Sequence, residues 1–257
     1  MDSRKIIIAL AIHHKGEWHA INEAILKKDY VPEDVAEVYL KSLKCNAITI
    51  LDQEYPKYLR ETFCPPYVLF YYGDISLISD RTKNVAVVGS RKVSKEGKEN
   101  IDYIVSGICK RYNVVSGLAL GIDTAAHKSA LSNGGKTIAV LANGIEYCYP
   151  SENEEVYKTI KKNHLVISEY FGFISPKPIH FHQRNRLIVA FSRGTIIGES
   201  KRYSGTLITA NYTLAVHNDI MAIPSNDIHD SLNNLIIKEG CPVVLSPDDV
   251  FEIFDEL

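Results

Sequence analysis

NVVSGLALGIDTAAHKSAL (residues 113–131) runs from an apolar strand, through a small-residue loop, into a small-residue helix that starts at Asp123. Gly117 and Gly121 free the backbone between strand and helix to turn and to approach a ligand closely. This is the shape of a phosphate cradle in an α/β protein, where anions sit at helix N-termini. Yet the loop has neither the lysine of a P-loop nor a GxGxxG dinucleotide fingerprint. Which anion such a loop holds must come from its surroundings.

The alternation of strand and helix extends outward from this stretch. Strands are expected at Val85–Val88, Asn113–Val115, Thr137–Leu141, Leu165–Ser168, Thr195–Gly198, Ile220–Ile223 and Val243–Leu245. Helices are expected between them at Ser94–Arg111, Thr124–Leu131, Glu152–Lys162, Arg184–Phe191, Thr206–His217 and Leu232–Lys238. Ser151 and Glu154 have capping-box spacing for the third. The strands are short and continuously apolar, as parallel strands covered on both faces must be. The expected fold is therefore α/β, an extended Rossmann-like, doubly wound, mostly parallel sheet with a small N-terminal helical region. Residues 1–45 read as short helices, 46–83 as a connector with strands packed on the main domain, and 84–257 as the Rossmann-like domain.

Composition fits that frame. The 257 residues are 46% hydrophobic and 23% charged, ordinary for a globular chain. No stretch of 18 apolar residues is present, so no membrane span is expected. Five scattered cysteines without CxxC spacing argue against a disulfide framework or zinc site and for the reducing cytoplasm. The net charge of −2 conceals an asymmetry. Residues 81–111 carry eight Lys or Arg against three acids, and residues 177–202 carry six against one. Residues 246–257 carry five acids and no base. Local basic surfaces of this kind bind polyanions, although each also fits a solvated face.

In a doubly wound sheet, ligands bind outside the carboxyl ends of the strands. There this sequence has Gly89-Ser90-Arg91, Ser116-Gly117, Asn143-Gly144, and Ser204-Gly205-Thr206 after Glu199. Each alone fits an ordinary tight turn. Together they describe one crevice of backbone amides, hydroxyls and helix N-termini, which suits an anion. Arg91 is the sharpest candidate, because its planar fork suits phosphate and Lys95 and Lys98 follow along one helix side. Asp123 and His127 share a helical face, but a third metal ligand is lacking, so Asp123 is expected to cap its helix. Phe181-His182-Gln183-Arg184-Asn185-Arg186 is dense in donors. With Phe181, Tyr170 and Phe171, it combines charge and stacking as single-stranded nucleic acid requires. One of Arg184 and Arg186 is expected to reach a ligand while the other holds the protein. No catalytic nucleophile, base or metal constellation is recognisable.

These residues carry a resemblance. VAVVGSR, VVSGLALGIDTAAHKSALSNGGKTIAVLANGIEYCYPSEN, SEY, FHQRNRLIVAFSRGTIIGES, SGTLITANYTLA and NNLIIKEG, in this order over about residues 45–245, resemble the DNA-processing protein A family, also called Smf. The resemblance implies a cytoplasmic, homodimeric, non-enzymatic protein without cofactor or metal. It implies binding of single-stranded DNA and loading of RecA recombinase during natural transformation. Arg91 is then the principal phosphate ligand. Gly89, Ser90, Ser116, Gly117, Gly121, Asn143, Gly144, Gln183, Arg184, Asn185, Arg186, Ser204, Gly205 and Thr206 line the same pocket. His182 stands where the family usually has proline, and the chain ends before any C-terminal winged helix is expected. Two other readings stay open from the residues alone. One is a Rossmann-like nucleotide sensor or hydrolase, for which Glu199 is the convenient carboxylate. The other is an interaction scaffold.

Overall fold

Asn84–Val88 is buried at every residue, as a strand covered on both faces must be. In the computed structural model, which describes residues 1–255, this segment is β3, near the middle of an eight-stranded sheet. The other strands are β1 (Asn46–Thr49), β2 (Val68–Gly73), β4 (Asn113–Ser116), β5 (Thr137–Val140), β6 (Leu165–Ser168), β7 (Gly194–Ile197) and β8 (Asp219–Ala222). Their order is β1-β2-β6-β5-β4-β3-β7-β8. β3 to β8 are parallel, while β2 pairs antiparallel with both β6 and β1. The architecture is the Rossmann-like α/β fold expected. From β3 the chain winds to one side through β4, β5 and β6. It then crosses back to β7 and continues to β8 on the other side. The carboxyl ends of β3 and β7 thus form the topological switch point, where crevices open in such sheets.

Alternate residues of each strand feed opposite faces. Ala86, Val88, Val115 and Val140 point into one core with α8 (Pro178–Ala190), α9 (Gly205–Ala215) and α10 (Leu232–Lys238). Val85, Val87, Val114 and Ile196 point into the other, against α5 (Lys95–Ile108), α6 (Ile122–Ser132) and α11 (Pro247–Asp255). A third cluster joins β2 and β6 to α7 (Glu154–Asn163) and to α1 (Ser3–His13) and α2 (Trp18–Lys27). α3 (Glu33–Lys41) packs on α1, and the short α4 (Lys57–Arg60) places Leu59 in the first core. Among the described residues no helix is long and apolar enough to cross a membrane.

Three local expectations are corrected, and one helix is added. Val243–Leu245 is not a strand, because only Val243 bridges to Ala222. α8 begins at Pro178, six residues before the expected Arg184. Proline at the first helical position has no amide to waste, and its fixed φ suits the start. The capping box at Ser151 and Glu154 does not form. Residues Ser151–Asn153 make a 3-10 turn, and Ser151 Oγ bonds Glu152 instead. The acidic tail supplies α11, which buries Val250 and Phe254 and pairs Asp255 with Arg111 at 2.9 Å.

Candidate nucleic-acid interface

Two turns and a helix converge at the switch point around a cleft of about 540 Å³. Gly89-Ser90-Arg91 leaves β3, Ser204-Gly205-Thr206 opens α9, and Phe181, Arg184 and Asn185 face inward from α8. α9 starts with extended Ser204, whose side chain caps nothing in the helix and bonds Ser200 Oγ at 2.8 Å. The first amides of the helix are therefore unclaimed by a side-chain cap, and the helix dipole favours an anion there. Arg91 is exposed, and its guanidinium carbon lies 4.8 Å from the Phe181 ring centroid. The ring holds the cation by its face and leaves the N–H fork for another partner. Among the described residues no carboxylate pairs with Arg91.

The loop of residues 117–121 is different. Gly117 N and Ala119 N donate to Asp123 Oδ2 at 3.1 and 3.3 Å. The anion this loop holds is the chain's own carboxylate. Asp123 therefore does not cap α6 in the expected way, since Gly121 occupies the cap position with φ of 83°. A Cβ at Gly121 would collide with the carbonyls of Ser90 and Arg91, so glycine is what lets this loop pack against the Arg91 turn. Ile122 N completes the junction by donating to Ser90 O at 3.1 Å. Burial pushes Asp123 above the ordinary carboxylate range, while Arg184 and the two amides pull it down.

Arg184 is buried, and its Nη1 donates at 2.6 Å to both Gly117 O and Val140 O. Nε donates to Asn185 Oδ1 at 3.1 Å. Burial lowers this guanidinium to about 10 against the opposing pull of Asp123. Arg184 thus lines the cleft and also ties two strand ends together. Arg186 points elsewhere, into an ion pair with Glu169 at 2.6 Å. Gln183 accepts from Tyr170 Oη at 2.8 Å.

Of the residues singled out in the sequence, the cleft gathers Gly89, Ser90, Arg91, Arg184, Asn185, Ser204, Gly205 and Thr206. The remaining seven are placed outside its lining. Ser116 is fully buried and donates to Val87 O at 2.6 Å. Gly117 packs against the Arg184 guanidinium, and Gly121 against the Arg91 turn. Asn143 is buried and donates to Tyr147 O, and Gly144 N donates to Ile174 O, so both fasten neighbouring loops. Gln183 and Arg186 occupy the far side of α8, which a spacing of one and two residues from Arg184 dictates. Tyr170 and Phe171 are not stacking partners for a ligand either. Tyr170 is 2% exposed and stacks on His180 at 4.2 Å, and Phe171 packs against Phe70.

Other lining residues were missed, notably Thr209 and Ala119. Thr209, one turn into α9 from Gly205, was findable from helical spacing alone. His127 is fully buried with Nδ1 2.7 Å from Thr137 Oγ1, and burial drives it down to about 3. It is a neutral core histidine. No group of three or more His, Cys, Asp or Glu able to hold a metal is found among the described residues. Glu199 accepts from Ser94 N at 3.0 Å and from Ser94 Oγ, and so holds in place the residue that caps α5, since Ser94 Oγ accepts from Gly97 N at 2.9 Å.

Comparison with known proteins agrees with this fold. Residues 46–255 match the family model of DNA recombination-mediator protein A. The DNA processing protein DprA of Streptococcus pneumoniae is 40% identical over 237 residues, spanning 91% of this chain and 83% of the relative. That of Bacillus subtilis is 34% identical, spanning 82% and 72%. The X-ray structure of the S. pneumoniae protein superposes with a TM-score of 0.81 over 91% of this chain and 81% of the other, at 37% identity. DNA processing protein A of Helicobacter pylori, whose structure is described for its single-stranded DNA binding mode, gives a TM-score of 0.73 at 25% identity, covering 83% and 97%. With its sheet, its switch-point cleft and matches over most of its length, this chain belongs to the DNA recombination-mediator protein A family.

Proposed function

We propose that the switch-point cleft binds the backbone of single-stranded DNA. The carrying observation is Arg91, exposed, held by the face of Phe181 and free of any carboxylate partner among the described residues. Beside it the α9 N-terminus lacks a side-chain cap. A cation with a free fork next to open helix amides recognises phosphate without reading sequence. Phe181 offers a π face to one unstacked base. The fuller role extends that of the family: a cytoplasmic homodimer that delivers RecA recombinase to single strands during DNA processing and transformation, without catalysis. The engagement of Glu199 with Ser94, the cap residue of α5, weighs against the nucleotide-hydrolase alternative, which needs that carboxylate at a substrate.

The test is a competition assay with labelled oligo-dT. Cold single strand should displace it far better than cold duplex of equal length. Affinity should fall with salt, by a log–log slope of about −0.7 per neutralised phosphate. Arg91→Ala should cost about 1.5–3 kcal/mol of binding, the worth of a charge-assisted hydrogen bond, with no change in unfolding midpoint. Equal displacement by duplex, or an unaltered Arg91→Ala, removes the reading.

A further inference from the structure

Tyr147, Tyr149 and Phe173 follow the carboxyl ends of β5 and β6. Tyr149 is 43% exposed and its ring lies 6.2 Å from that of Phe181. Tyr147 and Phe173 stack on each other at 6.3 Å and 19°, with Phe173 73% exposed. Tyr147 and Tyr149 are two residues apart, so their Cα atoms lie within about 7 Å of each other. A small hollow of about 80 Å³, lined by Leu120 and Tyr149 among others, joins this face to the cleft through three shared residues, Arg91, Ala119 and Phe181.

The face is also fixed in place. Gly144 N donates to Ile174 O at 2.8 Å, Glu146 N to Gly172 O at 3.0 Å, and Asn143 Nδ2 to Tyr147 O at 2.8 Å. The loop bearing the tyrosines and the loop bearing Phe173 are thereby stitched together. Exposed aromatics on a rigid support mark a binding surface more than a packing remainder.

Charge decides the occupant. Beyond Tyr149-Pro150 the chain continues Ser151-Glu152-Asn153-Glu154-Glu155 without a base. On its acidic side the face disfavours phosphates, which Arg91 draws toward the cleft. It can hold unstacked bases by their π faces while the phosphates stay in solvent. Its continuity with the Arg91–Phe181 pair supplies the strand.

Resting on the DNA-binding reading above, we infer that Tyr149 and the stacked Tyr147–Phe173 pair extend the cleft into a base-stacking track for single-stranded DNA. The division of labour is spatial: Arg91 and α9 hold phosphate, and the track holds bases.

The experiment compares oligo-dT with an oligonucleotide of equal length whose bases are replaced by abasic tetrahydrofuran units. Tyr149→Ala and Phe173→Ala should each weaken oligo-dT about tenfold, within the range for one stacked base. They should leave abasic binding and the salt slope unchanged. Arg91→Ala should weaken both oligonucleotides and reduce the slope by about 0.7. Tyr149→Trp and Phe173→Tyr should restore affinity, which separates stacking from misfolding. If the aromatic variants bind oligo-dT as wild type while Arg91→Ala is weakened, the track is wrong and the cleft stands. The face then serves a protein partner. If they weaken abasic binding equally, the track is also wrong. If Arg91→Ala binds as wild type, the DNA reading itself has failed.

Discussion

Two neighbouring turns at the switch point have the same sequence character and opposite fates. Gly89-Ser90-Arg91 after β3 and Gly117–Gly121 after β4 are both small, glycine-containing turns that lead into helices. The first leaves its cation exposed. The second folds its amides onto Asp123 and its carbonyl onto Arg184, both buried. A loop that closes on its own carboxylate is no longer an anion site. It becomes the wall against which the open turn is positioned, through Ile122 N to Ser90 O.

The sharpest way to break this comparison is to remove the internal anion. Asp123→Ala strands two amide donors and takes the counter-charge from a buried guanidinium. The expected loss of stability is about 3–5 kcal/mol, read from urea unfolding. A loss below 1 kcal/mol, with DNA affinity instead reduced, means that the second loop is itself part of the interface.

What the sequence disclosed follows the reach of each physical signal. Continuous apolar runs such as Val85–Val88 and Leu165–Ser168 identify buried parallel strands, because burial on both faces leaves no polar option. The cleft was legible as a set of strand-end turns for the same reason. Side-chain direction was not. Spacing says that Arg184 and Arg186 diverge on a helix, but only the fold shows Arg184 lining the cleft and Arg186 meeting Glu169. Tyr170 and Phe171 read as stacking partners, because a loop has no period that separates inside from outside. The start of α8 was hidden because proline fits the first turn of a helix as well as a loop. Val243–Leu245 has the apolar run of a strand, yet pairs only through Val243.

A milder perturbation sharpens the comparison by pressing the two turns apart. Gly121 has φ of 83° and ψ of −125°, a conformation costly for any residue with a Cβ. Gly121→Ala adds that strain, about 1–3 kcal/mol, and drives the new methyl toward the Ser90 and Arg91 carbonyls. Both unfolding midpoint and oligo-dT affinity should fall, because the displaced turn is the one carrying Arg91. A stability loss with wild-type affinity would mean that the open turn keeps its shape without the wall behind it.

The smallest effect concerns pH and separates the buried side of the comparison from the exposed one. His127 lies on α6 four residues past Asp123, fully buried, with Nδ1 against Thr137 and Nε2 without a partner. Burial first, then the positive field of Arg184, lowers it from 6.5 to about 3. The unfolded chain therefore binds a proton that the folded chain refuses between these values. Stability from this group is complete above the unfolded value and is lost as pH falls through the window. From pH 6.5 to 5.5 the loss attributable to His127 is about 1 kcal/mol, with a limiting slope near 1.36 kcal/mol per pH unit. His164 and His180 are also lowered by burial, so the whole protein should lose more than this one share. His127→Gln removes the titration while keeping a polar group near Thr137. Its unfolding free energy should be lower than wild type at pH 7 and should decline less between pH 6.5 and 5.5. Equal slopes for variant and wild type would mean that His127 takes up its proton in the folded chain.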